Sequence, residues 1–228
     1  MTDLFGFDLA DGFASGQCPI CFALGRDERR WVDSFRREGK QDADARSRFY
    51  AGGGFCRRHA WLLHELAVEH GSGAPIADVY GNLADRDLAA IDTLLAGGRH
   101  LALARAASCS ACVAEADALE RKQHFFLELV ETSAGRDRYA RSAPLCFPHL
   151  ASALAAAGDG DTGRFLLGDW HRRLAEARER LAEFDRKRDH RFAGQRHDAE
   201  ARSWTDIIRL YVGEPPRRAE EATPGSTI

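Results

Sequence analysis

Long apolar runs and an excess of either charge are both missing from this sequence of 228 residues. No apolar stretch approaches the roughly 18–20 residues that a helix needs to cross a bilayer. Residues 1–16 lack the basic segment and the following apolar run of a secretory signal. The net charge of -3 gives no general attraction to nucleic acid or to an anionic membrane. We therefore expect a cytoplasmic protein that does not associate with membranes.

Alternation of apolar and polar residues at period two, the pattern of a half-buried strand, is also scarce. Apolar residues instead recur every three or four positions, which is typical of helices packed on one face. The sequence therefore predicts an all-α fold, with at most short strands near the paired cysteines. The expected helices cover about 19–38, 55–70, 75–96, 110–132, 146–157, 162–190 and 198–212. The tail after Gly213 is polar and contains proline, so we expect it to be disordered.

Cysteine is scarce as well, and all six cysteines belong to one repeated pattern. Two Cys-x-x-Cys pairs are followed, after 34 and 33 residues, by a Cys-x-x-His segment. The first set is Cys18, Cys21, Cys56 and His59, and the second set is Cys109, Cys112, Cys146 and His149. The sets are offset by 91 residues at the first pair and by 90 at the second, which indicates an internal duplication.

Each set has the composition of a tetrahedral zinc site, for which three thiolates and one imidazole are a common ligand set. Two residues between paired cysteines allow a tight knuckle, and a Cys-x-x-His segment at a helix start places both side chains on one face. The helix dipole also favours a thiolate at that end. The sequence therefore predicts two structural zinc sites, each formed within one repeat and each contributing roughly 10–16 kcal/mol to folding.

Other interpretations of the cysteines stay open. Three cysteines and a histidine can also hold an iron–sulfur cluster, which would make this a redox or oxygen-sensing protein. The cysteines could instead be ordinary buried residues, although two matched sets with no cysteine left over argue against this. Catalytic zinc is disfavoured because four protein ligands leave no open position for a substrate.

Few other residues form a recognisable reaction centre. No histidine directly follows either Cys-x-x-Cys pair, which argues against covalent haem, and no Glu-x-x-His segment indicates a di-iron site. An enzyme pocket between the repeats could use polar groups on the helices, but their spacing singles out none of them. The candidates for such a pocket are His64, Glu65, Glu120 and His124.

A basic segment with interleaved aromatic residues ends the long helix. Its charged groups, Arg186, Lys187, Arg188 and Arg191, could contact nucleic acid or an acidic partner. The alternative is a solvated helix end whose charges pair locally and complement the helix dipole. Acidic residues interrupt the run, and this favours the alternative.

Together these motifs resemble a bacterial family, the domain of unknown function numbered six thousand and sixty-two. The similarity is carried by CPIC (18–21), GGFCRRH (53–59), CSAC (109–112), CFPH (146–149), FDRKRDHRF (184–192) and SWTDIIRLYVGE (203–214). It covers the chain from Cys18 to about Val212, and His190 stands where the family pattern leads us to expect an aromatic residue. The resemblance implies a similar chain length and the same cysteine motifs, but no activity.

The predicted organisation has four parts. Residues 1–98 and 99–160 form two metal-binding helical repeats, residues 161–212 form a long helix and a closing helix packed on both, and 213–228 form the tail. Because the only strong signal is structural metal binding, we expect a non-enzymatic binding or regulatory protein. Its partner would be a protein or a nucleic acid.

Overall fold

The computed structural model describes residues 4–39, 41–96, 108–192, 194–196 and 198–214. Within these ranges the chain forms ten α-helices and no β-strand, which confirms the all-α prediction. The helices are α1 (Leu4–Ala14), α2 (Pro19–Glu38), α3 (Ala43–Ala51), α4 (Arg57–Glu69), α5 (Ala74–Leu95), α6 (Ser110–Glu131), α7 (Ser133–Ala140), α8 (Phe147–Ala157), α9 (Asp161–Arg188) and α10 (Ser203–Val212). Short 3-10 turns at His190–Phe192 and Ala199–Arg202 connect α9 to α10. None of the described helices is long and apolar enough to cross a membrane.

Seven of these helices match predicted segments, whereas α1, α3 and α7 were not predicted. The two short helices α3 and α7 have little apolar periodicity, and polar caps define where they start. Asp42 accepts hydrogen bonds from the backbone N–H groups of Asp44 and Ala45 at 2.9 and 3.0 Å, and Thr132 accepts one from Gly135 at 3.0 Å. Such caps satisfy the free N–H groups of a helix start. The strands expected near the knuckles are absent from the described residues, and the tail beyond Glu214 lies outside them.

The chain divides into two compact units, and their boundaries differ from the four predicted parts. Among the described residues, the first unit comprises 4–25 and 119–214, and the second comprises 26–96 and 108–118. The divisions fall inside α2 and α6 rather than in the loops between helices. Neither of the two predicted metal-binding repeats, 1–98 and 99–160, therefore coincides with one unit.

The second unit has an aromatic core contributed by α2, α3 and the segment before α4. Phe35 packs against Phe49 and Phe55, with ring centroids 5.3 and 4.7 Å apart. All three side chains are buried, as are Val79 and Leu83 of α5. Each Å² of apolar surface that is buried stabilises the fold by about 25 cal/mol. Packing of these side chains therefore fixes the start of α4, where Cys56 and His59 lie.

The first unit combines an aromatic core with a buried ion pair. Phe126 of α6 packs on Tyr139 of α7 with centroids 5.3 Å apart, and both rings are fully buried. Lys122 donates a hydrogen bond to Asp8 at 3.1 Å, although their side chains are only 1% and 6% exposed. A buried lysine of this kind needs its carboxylate partner, since removing one member leaves a charge without compensation.

Candidate metal centres

The structure brings the eight predicted ligands into two groups of three cysteines and one histidine. The first group, the Cys18 site, consists of Cys18, Cys21, Cys146 and His149. The second group, the Cys56 site, consists of Cys56, His59, Cys109 and Cys112. The prediction that each site forms within one sequence repeat is therefore wrong. Each Cys-x-x-Cys pair meets the Cys-x-x-His segment of the other set.

In the Cys18 site the imidazole of His149 faces three sulfur atoms. Its Nδ1 atom lies 3.4 Å from Sγ of Cys18, 3.3 Å from Sγ of Cys21 and 3.2 Å from Sγ of Cys146. The sulfur atoms of Cys21 and Cys146 are 3.6 Å apart. All four donor atoms lie within 4.8 Å of one another.

The Cys56 site has nearly the same geometry. Nδ1 of His59 lies 3.2 Å from Sγ of Cys56 and 3.5 Å from Sγ of both Cys109 and Cys112. The sulfur atoms of Cys56 and Cys112 are 3.7 Å apart. Around a tetrahedral zinc ion with ordinary Zn–S and Zn–N bonds, donor atoms lie roughly 3.5–3.8 Å apart. Both donor sets therefore have the size and composition that fit one such ion.

The crosswise pairing follows from where the aromatic core holds Cys56. The neighbouring residue Phe55 packs against Trp31 and Phe35, with ring centroids 5.9 and 4.7 Å apart. These two residues lie ten and fourteen positions after Cys21 in α2, or roughly 15 and 21 Å along a helix. Cys56 is thus held in the second unit, which also contains Cys109 and Cys112 but not Cys21.

The second set is separated in the same manner. The backbone N–H of Leu145, which precedes Cys146, donates a hydrogen bond to the hydroxyl of Tyr139 at 3.1 Å. Tyr139 packs on Phe126, which lies fourteen positions after Cys112 in α6. Cys146 is thereby held in the first unit, which also contains Cys18 and Cys21 but not Cys112.

Every ligand pair lies at the N-terminus of a helix. Cys18 and Cys109 immediately precede α2 and α6, while Cys56 and Cys146 are the N-cap residues of α4 and α8. Neither N-cap cysteine accepts a hydrogen bond from the backbone N–H groups of its own helix. Its sulfur instead faces the other ligands of its group. Two helix starts therefore face each donor group, and their partial positive charge favours thiolate ligands.

The thiols in each group shift one another's ionisation. Burial raises the pKa of Cys18 well above its usual range, with additional contributions from hydrogen bonds to Cys146 and Cys21. Burial and the neighbouring Cys56 raise the pKa of Cys112 to about 12. Burial also opposes ionisation of Cys56, but hydrogen bonds from His59 and Cys112 prevail and lower its pKa to about 7. In the Cys18 site, hydrogen bonds with Cys18 and Cys21 lower the pKa of Cys146 despite its burial. Each group thus contains one thiol whose pKa is lowered and another whose pKa is raised, as expected for acidic groups crowded together.

Two supporting contacts of the Cys18 site are not evident from the sequence. Gly213, at the end of α10, has a φ of +81°, and a Cβ atom there would lie 2.8 Å from Sγ of Cys21 and 3.4 Å from Sγ of Cys146. Trp170 of α9 donates a hydrogen bond from Nε1 to the carbonyl of Leu145 at 3.1 Å. No motif marks these positions, because both contacts join segments far apart in the sequence.

The Cys56 site has a charged surround that sequence reasoning also missed. Nε2 of His59, the ring nitrogen that points away from the cysteines, lies 3.1 Å from Oε1 of Glu28. Arg58 pairs with Glu115 and lies 3.4 Å from the same oxygen of Glu28. Burial works against a charged His59, but hydrogen bonds to Glu28 and Cys56 prevail and raise its pKa to about 9.

The residues considered for an enzyme pocket are not gathered within either unit. His64 and Glu65 lie in the second unit, where His64 is exposed and Glu65 is 3.6 Å from Arg29. Glu120 and His124 lie in the first unit, and His124 is 70% exposed beside Glu128. The enzyme hypothesis therefore stays a prediction.

The basic segment at the end of α9 is paired with carboxylates. Arg186 makes two hydrogen bonds of 2.7 Å to Glu183, and Lys187 makes one of 2.7 Å to Glu200. Arg188 lies 3.8 Å from Asp185, and Arg191 lies 2.6 Å from Asp189. This arrangement favours local charge pairing over a nucleic-acid contact.

Comparison of the chain with family models, with curated proteins and with solved structures found no match. The function of the two centres therefore has to be argued from their own geometry.

Proposed function

We propose that this chain binds two zinc ions at structural sites and serves as a non-enzymatic binding or regulatory protein. The observation that carries the proposal is the pair of four-residue groups, each with donor atoms within 4.8 Å of one another. Four protein donors complete a tetrahedron, and such closed sites are typical of structural rather than catalytic zinc. The chemistry that zinc supplies here is the cross-linking of helix starts.

The donor spacing favours a single ion over the alternative, an iron–sulfur cluster. In a four-iron cluster each cysteine binds a different iron, so its ligand sulfurs stand farther apart than around one ion. The sulfur pairs at 3.6 and 3.7 Å are instead close to the spacing around one tetrahedral metal. All six cysteines are free of disulfides, which fits a reducing compartment such as the cytoplasm.

We also propose that the chain arose by duplication, with the two halves exchanging their Cys-x-x-His segments. The helix caps Asp42 and Thr132 are 90 residues apart, as are the N-cap residues Cys56 and Cys146. The buried ring pair Phe35–Phe49 corresponds at nearly the same offset to Phe126–Tyr139, and both pairs have centroids 5.3 Å apart. Membership of the bacterial family noted above stays a proposal that rests on the motifs alone.

Metal content is the first test of the zinc proposal. Elemental analysis of protein purified with and without air, together with a visible spectrum, should give two zinc per chain and no colour. Iron with inorganic sulfide and a brown colour would replace the proposal with the redox alternative. Less than one metal ion per chain under both conditions would contradict both the zinc proposal and the iron–sulfur alternative.

A further inference from the structure

The histidine of the Cys56 site has a carboxylate contact on the side that faces away from the cysteines. The Nε2 atom of His59 lies 3.1 Å from the Glu28 carboxylate, and His59 has no exposed surface. At the duplication offset of 91 residues, the position that corresponds to Glu28 is Leu119, which has no hydrogen-bond acceptor in its side chain. A leucine side chain cannot make the contact that Glu28 makes with His59 in the Cys56 site.

The direction of the hydrogen bond follows from which nitrogen faces the cysteines. Nδ1 of His59 points at three sulfur atoms at 3.2–3.5 Å, so Nδ1 must carry the lone pair that binds a metal. A neutral imidazole then has its proton on Nε2. This N–H can donate to Glu28, and it leaves Arg58, whose Nη2 lies 3.2 Å away, unable to donate to the same nitrogen. Arg58 instead forms ion pairs with Glu28 and Glu115.

Resting on the proposed zinc binding, we propose that Glu28 is the positioning residue of the Cys56 site. It fixes the tautomer and the ring orientation of His59, and thereby sets the affinity of this site for metal. Three helices take part, because Glu28 lies on α2, Arg58 on α4 and Glu115 on α6. Carboxylates that orient a metal-binding histidine in this way change metal affinity by about 10–100-fold when removed.

The test measures metal retention at each of the two sites separately, in the full-length chain. Zinc-loaded protein is equilibrated with increasing chelator and pulsed with a thiol-alkylating reagent, and the modified cysteines are located by mass spectrometry. Glu28→Ala should expose Cys56, Cys109 and Cys112 at roughly 10–100-fold lower chelator activity than in the unsubstituted chain. Glu28→Gln retains an acceptor oxygen without the charge. It should expose these cysteines at a chelator activity between those of Glu28→Ala and the unsubstituted chain. Cys18, Cys21 and Cys146 should be exposed at an unchanged chelator activity in both variants.

Glu115→Gln is the matched control, since it removes a neighbouring carboxylate that contacts Arg58 and not His59. It should shift the Cys56 site by no more than a few-fold. The positioning role is overturned if Glu28→Ala leaves the Cys56 site unchanged, if it weakens both sites equally, or if Glu115→Gln has the same effect. Cysteines that are unprotected in the unsubstituted chain, with no bound zinc, would instead overturn the proposed zinc binding itself.

Discussion

At the scale of single residues, the Cys18 site depends on a glycine that has no ligand atom. The end of α10 passes so close to Cys21 and Cys146 that no side chain fits at Gly213. Its φ of +81° is also one that residues with a Cβ atom rarely adopt. A substitution there therefore has two separable costs, one from the backbone and one from contact with the sulfur atoms.

Gly213→Ala should weaken metal retention at the Cys18 site by at least about tenfold, a loss comparable to that of an outer contact of a metal ligand. The physical reason is that a methyl group 2.8 Å from Sγ of Cys21 must push the thiolate out of its ligand position. The measurement is the chelator activity at which Cys21 and Cys146 become reactive toward an alkylating reagent.

Gly158→Ala provides the control for backbone strain. Gly158 also ends a helix, with φ of +63° and ψ of -160° against +81° and -168° at Gly213, but a Cβ atom there meets nothing within 4 Å. Both variants should lose roughly 1–3 kcal/mol of stability from the backbone, because only glycine readily adopts these angles. If the two variants retain metal equally well at the Cys18 site, the sulfur contact has no role.

At the scale of helices, α9 holds the segment that leads into Cys146. Arg173 donates hydrogen bonds to the carbonyl of Ala140, the last residue of α7, at 2.9 Å and to that of Ser142, just beyond it, at 2.7 Å. Asp169 fixes the guanidinium of Arg173 at 2.6 Å, and Trp170 binds the carbonyl of Leu145. These bonds satisfy carbonyls that a helix end leaves free and position Cys146 as a ligand.

Trp170→Phe should destabilise the zinc-loaded chain by roughly 2 kcal/mol, because it leaves the buried carbonyl of Leu145 without its donor. It should also raise the reactivity of Cys146 more than that of Cys56. Thermal unfolding and alkylation of zinc-loaded protein measure these two effects.

Trp204→Phe is the comparison for this variant. Trp204 donates an equivalent bond of 3.1 Å to the carbonyl of Ala201, but its side chain is 53% exposed. Because water can replace this bond, the change should cost less than about 0.5 kcal/mol. Equal losses in the two variants would mean that the Trp170 bond does not support the centre.

Helix prediction from the sequence succeeded where apolar residues recur over several turns. It failed for the short helices whose formation depends on cap residues. The long helix α2 was predicted with its observed bounds of Pro19–Glu38, because its apolar residues recur over five turns. The short helices α3 and α7 depend on single cap residues and on burial of Phe49 and Tyr139. Such tertiary contacts leave no periodic signal in the sequence.

The eight candidate ligands were recognisable from the sequence, but which of them share a site was not. Either pairing of the motifs gives three cysteines and one histidine, so spacing alone cannot choose between them. The choice depends on tertiary contacts that motif spacing does not encode. Phe55 packs on Phe35, and Leu145 is hydrogen-bonded to Tyr139, which packs on Phe126. The same reason explains why Glu28 and Gly213 could not be identified from the sequence.

At the scale of the whole molecule, the crosswise pairing changes how far each ion reaches along the chain. Cys21 and Cys146 are 125 residues apart, and Cys56 and Cys112 are 56 apart. A cross-link that closes a longer loop removes more conformational entropy from the unfolded chain, although the gain grows slowly with length. A metal bound at either site would therefore restrain the unfolded chain more than one bound within a single repeat.

Removal of one cysteine pair distinguishes the crosswise pairing from pairing within a repeat. The double variant Cys18→Ser with Cys21→Ser should bind one zinc per chain instead of two. Cys146 should then react with an alkylating reagent, because its site has lost two ligands. Cys56 should stay protected, since its partners are Cys109 and Cys112. Pairing within a repeat predicts the opposite, a reactive Cys56 and a protected Cys146.

The reciprocal variant, Cys109→Ser with Cys112→Ser, makes the result independent of general damage to the fold. It should expose Cys56 and leave Cys146 protected. Far-ultraviolet circular dichroism identifies any variant that has unfolded as a whole, in which all remaining cysteines would react together. Because each donor group lies inside one compact unit, losing one pair should unfold the unit that holds it and leave the other site able to retain its metal. Loss of both metals from either variant would show that the two sites fold as one cooperative structure.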